Sequence, residues 1–276
     1  MSGGAEPGAG APPADVLARF SAATGIEVSR ALRLRGGELN LSFRLWTTAG
    51  DLVLRFSPPR EAELQVDRHS ECAILARASA AGLAPAVLWC APESRVLVTR
   101  YVPPGVWTRD EARSAAGIAS MGHWLARLHR LAPPRGCRVV DYVRVLQGYV
   151  ATLAARGASG PDVAPFLEVL RAAPAPAPRP AVLCHNDVHH LNILGTIDTP
   201  RVIDWEYAGA GDARLDLAQY ALAHGLDVDA CARLLAAYGA GGPAVPATDL
   251  RAAMDLAAAV NAAWAAVART GESGGR

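Results

Sequence analysis

Apolar and polar positions divide the chain into two unlike halves. Asp15–Ala23 has the spacing of a short helix. Gly25–Leu34, Leu41–Thr48 and Asp51–Phe56 then alternate or cluster as strands, with Gly36-Gly37 and Ala49-Gly50 as turn signals between them. Pro58-Pro59 stops the third strand, Glu61–Ala81 carries helical spacing, and Gly82 stands where a C-cap belongs. Pro85–Cys90 and Arg95–Val102 complete a set of five strands before Pro103-Pro104-Gly105 breaks the chain. Beyond that break the pattern is helical. Arg109–Leu131 has a stripe at Ile118, Met121, Leu125 and Leu128, and Asp141–Ala155 and Val163–Ala172 follow. Pro174–Pro180 is a stiff extended connector. The last helices are Asp216–His224, Asp227–Tyr238 and Thr248–Arg269, with Gly241-Gly242-Pro243 between the final two. The expected fold is α+β and bilobal: a small antiparallel-sheet lobe at 14–102, a larger helical lobe at 103–270, and loose tails at 1–13 and 271–276.

With 51% apolar and 19% charged residues in 276, the chain is globular, and a net charge of +1 gives no reason to expect nucleic acid or an anionic membrane as partner. There is no lysine, so any phosphate-binding cation must be an arginine. The five cysteines are scattered and form no C-x-x-C pair, which argues against a disulfide framework or a zinc site and for a reducing compartment. The first residues lack a basic start and an apolar core, unlike a signal peptide. Ala252–Ala268 is interrupted by Asp255 and Asn261, which suits a packed helix better than a membrane span. By elimination the expected location is the cytoplasm. Nothing here speaks to oligomeric state.

The chemistry gathers in 182–207, VLCHNDVHHLNILGTIDTPRVIDWEY. Two short apolar runs, Val182–Cys184 and Val202–Ile203, read as buried strand ends around a short hairpin. Asn192 lies five positions after Asp187, and Asp204 twelve after Asn192. A base, an amide and a second acid in that order form the pattern of phosphoryl transfer. One carboxylate accepts a hydroxyl proton, while an amide oxygen and a carboxylate hold Mg²⁺, a hard cation that prefers oxygen.

With these motifs, HNDVHHLNIL followed by VIDWEYAGAGDARLDLA, the chain resembles the aminoglycoside phosphotransferase and choline kinase group, whose fold is protein-kinase-like. It looks most like bacterial thiamine kinase and choline/ethanolamine kinase, from about Leu34 onward. The resemblance implies an ATP- and Mg²⁺-dependent small-molecule kinase. Asp187 would be the catalytic base, Asn192 and Asp204 the metal ligands, His185 a structural histidine, and Asp216 an acid bracing the loop. Arg55 stands where protein kinases carry a phosphate-binding lysine, with Glu71 as partner and Glu61, Glu63 and Asp67 as rivals. Gly36, Gly37 and Asn40 would cover the phosphates, and adenine would lie against Thr99–Val102, Tyr101 included. His189, two positions after the base, would face the transferring phosphate; His190 is left as a surface residue. On the acceptor side, Trp205, Glu206, Tyr207 and Trp107, with Tyr142 and Trp264, suit a cationic alcohol such as thiamine, choline or ethanolamine. An aminoglycoside would want more late acids than Asp227, Asp229, Asp249 and Asp255. A metal-dependent hydrolase built on the crowded histidines, or a silent nucleotide-binding module, are the other classes.

Overall fold

Alternation in the first strands builds a sheet with two different faces. The computed structural model describes residues 11–34, 40–57, 66–172, 181–241 and 244–272. Helix α1 (Ala14–Thr24) precedes strands β1 (Val28–Arg33), β2 (Leu41–Thr47), β3 (Gly50–Phe56), β4 (Val87–Ala91) and β5 (Val96–Arg100). These form one antiparallel sheet in the order β1-β2-β3-β5-β4. Phe43, Leu45, Leu52, Leu54, Val96 and Val98 share one face and bury it under Val16 and Phe20 of α1. Side chains alternate along a strand, so Arg55, next to Leu54, points to the opposite face, toward the second lobe. The parity of β3 thus turns Arg55 toward Asp204.

Helix α2 (Arg68–Ala80) starts at Asp67, whose side chain accepts the Ser70 N–H as an N-cap. The expectations on Gly36, Gly37, Pro58-Pro59, Glu61, Glu63, Pro174–Pro180 and Gly242-Pro243 lie outside the described residues. The apolar side of α2, Ile74, Leu75 and Ala78, does not join the sheet core. It packs into the larger core with Ile118, Trp124, Leu183 and Val202. Val87 of β4 and Leu97 of β5 border the same core, so the helix bridges the second lobe and the sheet.

The helical run expected at Arg109–Leu131 is two helices, α3 (Arg109–Arg113) and α4 (Ala115–Leu128). Ser114 leaves the helical region at ψ 153° and its side chain caps the Gly117 N–H. A Cβ on Gly117 would meet the Glu111 carbonyl at 2.0 Å, so the sharp joint requires glycine there. Helices α5 (Tyr142–Ala155), α6 (Gly160–Ala172), α7 (Ala213–His224), α8 (Val228–Gly239) and α9 (Ala247–Glu272) complete the lobe. Gly122 lets α4 approach α8, where a Cβ would lie 2.7 Å from that of Ala237. Helix α9 is long and apolar enough to cross a membrane by length and composition, but Leu250, Ala253, Ala257, Val260 and Ala263 form a buried stripe in the core. The two apolar runs of the motif do not pair with each other. Strand β6 (Val182–Cys184) pairs with β9 (Gly209–Gly211), and β7 (Ile193–Leu194) with β8 (Arg201–Val202).

The cysteines depart from expectation. Cys72 on α2 and Cys90 on β4 form a disulfide, with Cα atoms 6.1 Å apart. Sequence spacing could not show this, because the partners are 18 positions apart on different elements. Peptide mapping without reductant should recover Cys72 and Cys90 as one linked pair. Replacing both by serine should lower stability to denaturant by about 2–4 kcal/mol, the usual worth of such a cross-link; an unchanged unfolding midpoint would count against the bridge.

Candidate active site

The motif loop is held from beneath by a buried carboxylate. Asp216 lies in the first turn of α7, which is capped by Asp212. Its Oδ2 accepts the His185 N–H at 2.8 Å and its Oδ1 the Asn186 N–H at 2.6 Å, while His129 Nε2 lies 3.1 Å from Oδ2. His129 follows the last turn of α4 and is tied through Nδ1 to the Tyr238 hydroxyl, 3.0 Å away. Nothing near His129 in the chain marks it, since its partner comes 87 positions later. Asn186 sits at φ +67°, a left-handed conformation that asparagine tolerates, and its amide donates to the Tyr207 carbonyl.

His185 is wired into the same loop. Its Nδ1 accepts the Asp187 N–H at 3.3 Å, so the proton sits on Nε2, which donates to the Ile203 carbonyl at 3.0 Å. Burial lowers its pKa and keeps it neutral against the pull of Asp216 and Asp187. Both ring nitrogens are engaged.

Above this brace three oxygen-bearing side chains converge. Asn192 ends a short 3₁₀ turn, His190–Asn192, and its amide nitrogen reaches both the carbonyl and Oδ2 of Asp187 at 3.0 Å. Two acceptors on that side orient the amide and turn its oxygen away from Asp187. The β7–β8 ladder ends with Ile203 donating to the Asn192 carbonyl, which places Asp204 beside Asn192. Asp204 itself has φ +65°. Arg55 crosses from the sheet: Nη1 donates to Asp204 Oδ1 at 3.4 Å, and Nη2 forms an ion pair with Glu71 at 2.6 Å. Of the rival partners, Asp67 is occupied as the cap of α2.

Electrostatics separates the two aspartates. Burial would raise Asp187, but the hydrogen bond and charge of His189 and the Asn192 amide outweigh it and hold the carboxyl below its ordinary range. Asp204 is pushed up to about 7 by burial and by the neighbouring charge of Glu206, against the pull of Arg55. Burial alone would depress His189, yet Asp187, 3.5 Å from its Nε2, holds its pKa above the usual value.

Residues 30–266 match the model of the phosphotransferase enzyme family. The chain belongs to that family. Over 53 residues, about a fifth of either protein, it is 44% identical to a thiamine kinase from Shigella dysenteriae. Among solved structures, a choline/ethanolamine kinase family protein from Mesorhizobium loti is 24% identical, with 95% of this chain and 88% of that one covered at a TM-score of 0.74. A choline kinase from Streptococcus pneumoniae, LicA, is 18% identical, covering 95% and 91% at a TM-score of 0.77; LicA is also known in complex with AMP. These likenesses show the protein-kinase-like fold, and the α+β bilobal expectation is met.

Several acceptor-side expectations do not hold in this phosphotransferase. Trp205 is buried against His185 and Trp124, donating to the Val202 carbonyl, and Trp107 is buried with its indole donating to the Gly195 carbonyl. Both are core residues, because the apolar runs around them fold inward. Glu206 is buried too, and its Oε2 accepts from Arg68 and Asn40. On the nucleotide side, Tyr101 has its N–H bonded to the Asp51 carbonyl and one ring face against Arg44, 4.1 Å away. Tyr142 is buried and donates to the Asn186 carbonyl. His190 is half-buried, its N–H donating to His224 Nε2 at 3.1 Å. Trp264 is 39% exposed on α9. Tyr207 remains half-buried, in the field of Asp187 and Asp204, with its hydroxyl unpartnered among the described residues.

Asp216→Ala would strand two buried N–H groups and His129. The expected cost is about 3–5 kcal/mol, read by urea unfolding. A loss below about 1 kcal/mol would mean that the loop is held by something else.

Proposed function

We propose that this phosphotransferase moves the γ-phosphate of ATP to a hydroxyl of a small molecule. The observation that carries the reading is the convergence of Asp187, Asn192 and Asp204 with Arg55, which reaches over from the sheet. Asp187 is held ionised and is the group to take the hydroxyl proton or to aim the hydroxyl for in-line attack. Arg55, fixed by Glu71, presents a guanidinium to the phosphates. His189, its pKa raised by Asp187 against the effect of burial, stands where the phosphoryl group would pass. The complex of LicA with AMP supports nucleotide binding. Mg²⁺ fits the donor set: the Asn192 amide oxygen and the Asp204 carboxylate are hard ligands, and bound there the ion would neutralise charge on the phosphates.

For the acceptor, choline, ethanolamine and thiamine are the first candidates, supported by the similar proteins named above. Tyr207, half-buried in the field of Asp187 and Asp204, is the aromatic residue we assign to it. An aminoglycoside has less support. Asp227 caps α8, Asp249 pairs with Arg214 and Asp255 with Arg251, so these acids are already engaged. A histidine-based hydrolase has less support, since His185 uses both nitrogens on backbone groups. Among the described residues, the one cluster with metal-ligand spacing is His129, Cys184 and Asp216, buried beneath the loop.

Incubation with ATP and a panel of choline, ethanolamine, thiamine and aminoglycosides should yield one phosphorylated product; nucleotide binding with no product from any alcohol would favour a silent module. Asp187→Asn should cut turnover by about 10²–10⁴-fold while leaving nucleotide affinity nearly intact. Retained turnover would remove Asp187 as the base. Mg²⁺ needs the ionised form of Asp204, so the proton competes below the raised pKa. Apparent Mg²⁺ affinity should fall about tenfold per pH unit below 7 and level off above it, read by metal titration at fixed nucleotide. A flat profile between pH 5.5 and 8.5 would place the metal elsewhere.

A further inference from the structure

Arg68 has no place in the phosphoryl-transfer motif, yet it sits at the centre of the cleft's charge network. It is the first residue of α2, is 8% exposed, and lies between two buried acids. Its Nη1 donates to Glu71 Oε2 at 2.8 Å and to Glu206 Oε2 at 3.2 Å. Glu71 is therefore shared, one oxygen to Arg55 and the other to Arg68. Glu206 stands two residues beyond Asp204, and its same Oε2 accepts from Asn40 at 3.3 Å. One nitrogen and one oxygen thus tie together the start of β2, the helix and the segment that carries Asp204. The apolar side of α2 packs in the larger core, which Val87 of β4 and Leu97 of β5 only border, so polar contacts and the Cys72–Cys90 bridge add to its alignment with the sheet.

We propose that Arg68 and Glu206 form an interlobe latch, a positioning pair that sets nucleotide affinity by holding Glu71 against Arg55 and Asn40 against the Asp204 segment. The inference rests on the nucleotide reading above. Removing Arg68 leaves the buried Glu206 with Asn40 as its remaining donor among the described residues, and neutralising Glu206 weakens the tie of Arg68 and Asn40 to the Asp204 segment. Arg55 then loses its fixed orientation, and the lobes lose their register across the cleft. Because a single nitrogen makes both contacts, a lysine ammonium can replace it.

The test is calorimetric titration of the full chain with MgADP, with melting curves to confirm that each variant is folded. Arg68→Met and Glu206→Gln should each weaken MgADP binding about tenfold, and the double variant should be no worse than the weaker single, as coupled residues require. Arg68→Lys should recover most of the affinity. Asn40→Ala removes only the half-buried edge of the latch; it should weaken binding less, and add nothing in the Glu206→Gln background. A purely structural role would lower the melting temperature and leave the affinity of the folded protein alone. Unchanged affinity in Arg68→Met, additive losses in the double variant, or Arg68→Lys as weak as Arg68→Met would each overturn the latch. So would a Glu206→Gln defect that vanishes with metal-free ADP, which would make Glu206 a metal ligand. If the unmodified protein fails to bind MgADP, the nucleotide reading falls, and the latch defined by it falls as well.

Discussion

The fully buried carboxylate of Asp216 is the constraint on which the site depends. An ionised group out of water is tolerated only with donors around it, and here two backbone N–H groups and His129 surround it. Those N–H groups belong to His185 and Asn186, the two residues just before Asp187. The requirement to satisfy one buried charge therefore fixes the backbone that presents the candidate base. Asn186 in its left-handed conformation then turns the chain, and its amide ties the loop to the Tyr207 carbonyl.

Above this foundation the cleft carries a charge imbalance. Arg55 and Arg68 face Glu71, Asp204 and Glu206 within one connected network. Among the described residues these ion pairs set two cations against three carboxylates. The excess appears at Asp204, the one acid whose pKa is driven up to about 7. Glu71, between both arginines, is held down despite its burial. A divalent cation arriving at Asp204 would relieve this repulsion. The same field that makes Asp204 a reluctant acid in the free protein makes the pocket receptive to a positive ion.

Local pattern and short motifs carry the α+β order and the family, and they pick out the three residues on which the proposed chemistry rests. Strand parity in β3 even set which face Arg55 would occupy. Contacts between residues far apart in the chain could not be read in this way. Glu206 and Trp205 look like acceptor-binding residues beside Asp204, and folding turns one into an ion-pair partner of Arg68 and the other into core. Ser114 splits a helix that looks continuous. His129, Arg68 and the Cys72–Cys90 pair acquire their meaning from partners on other elements. Tertiary structure decided these roles because hydrogen bonds, ion pairs and burial depend on distance in space, and distance along the chain predicts that only within a single helix, strand or turn.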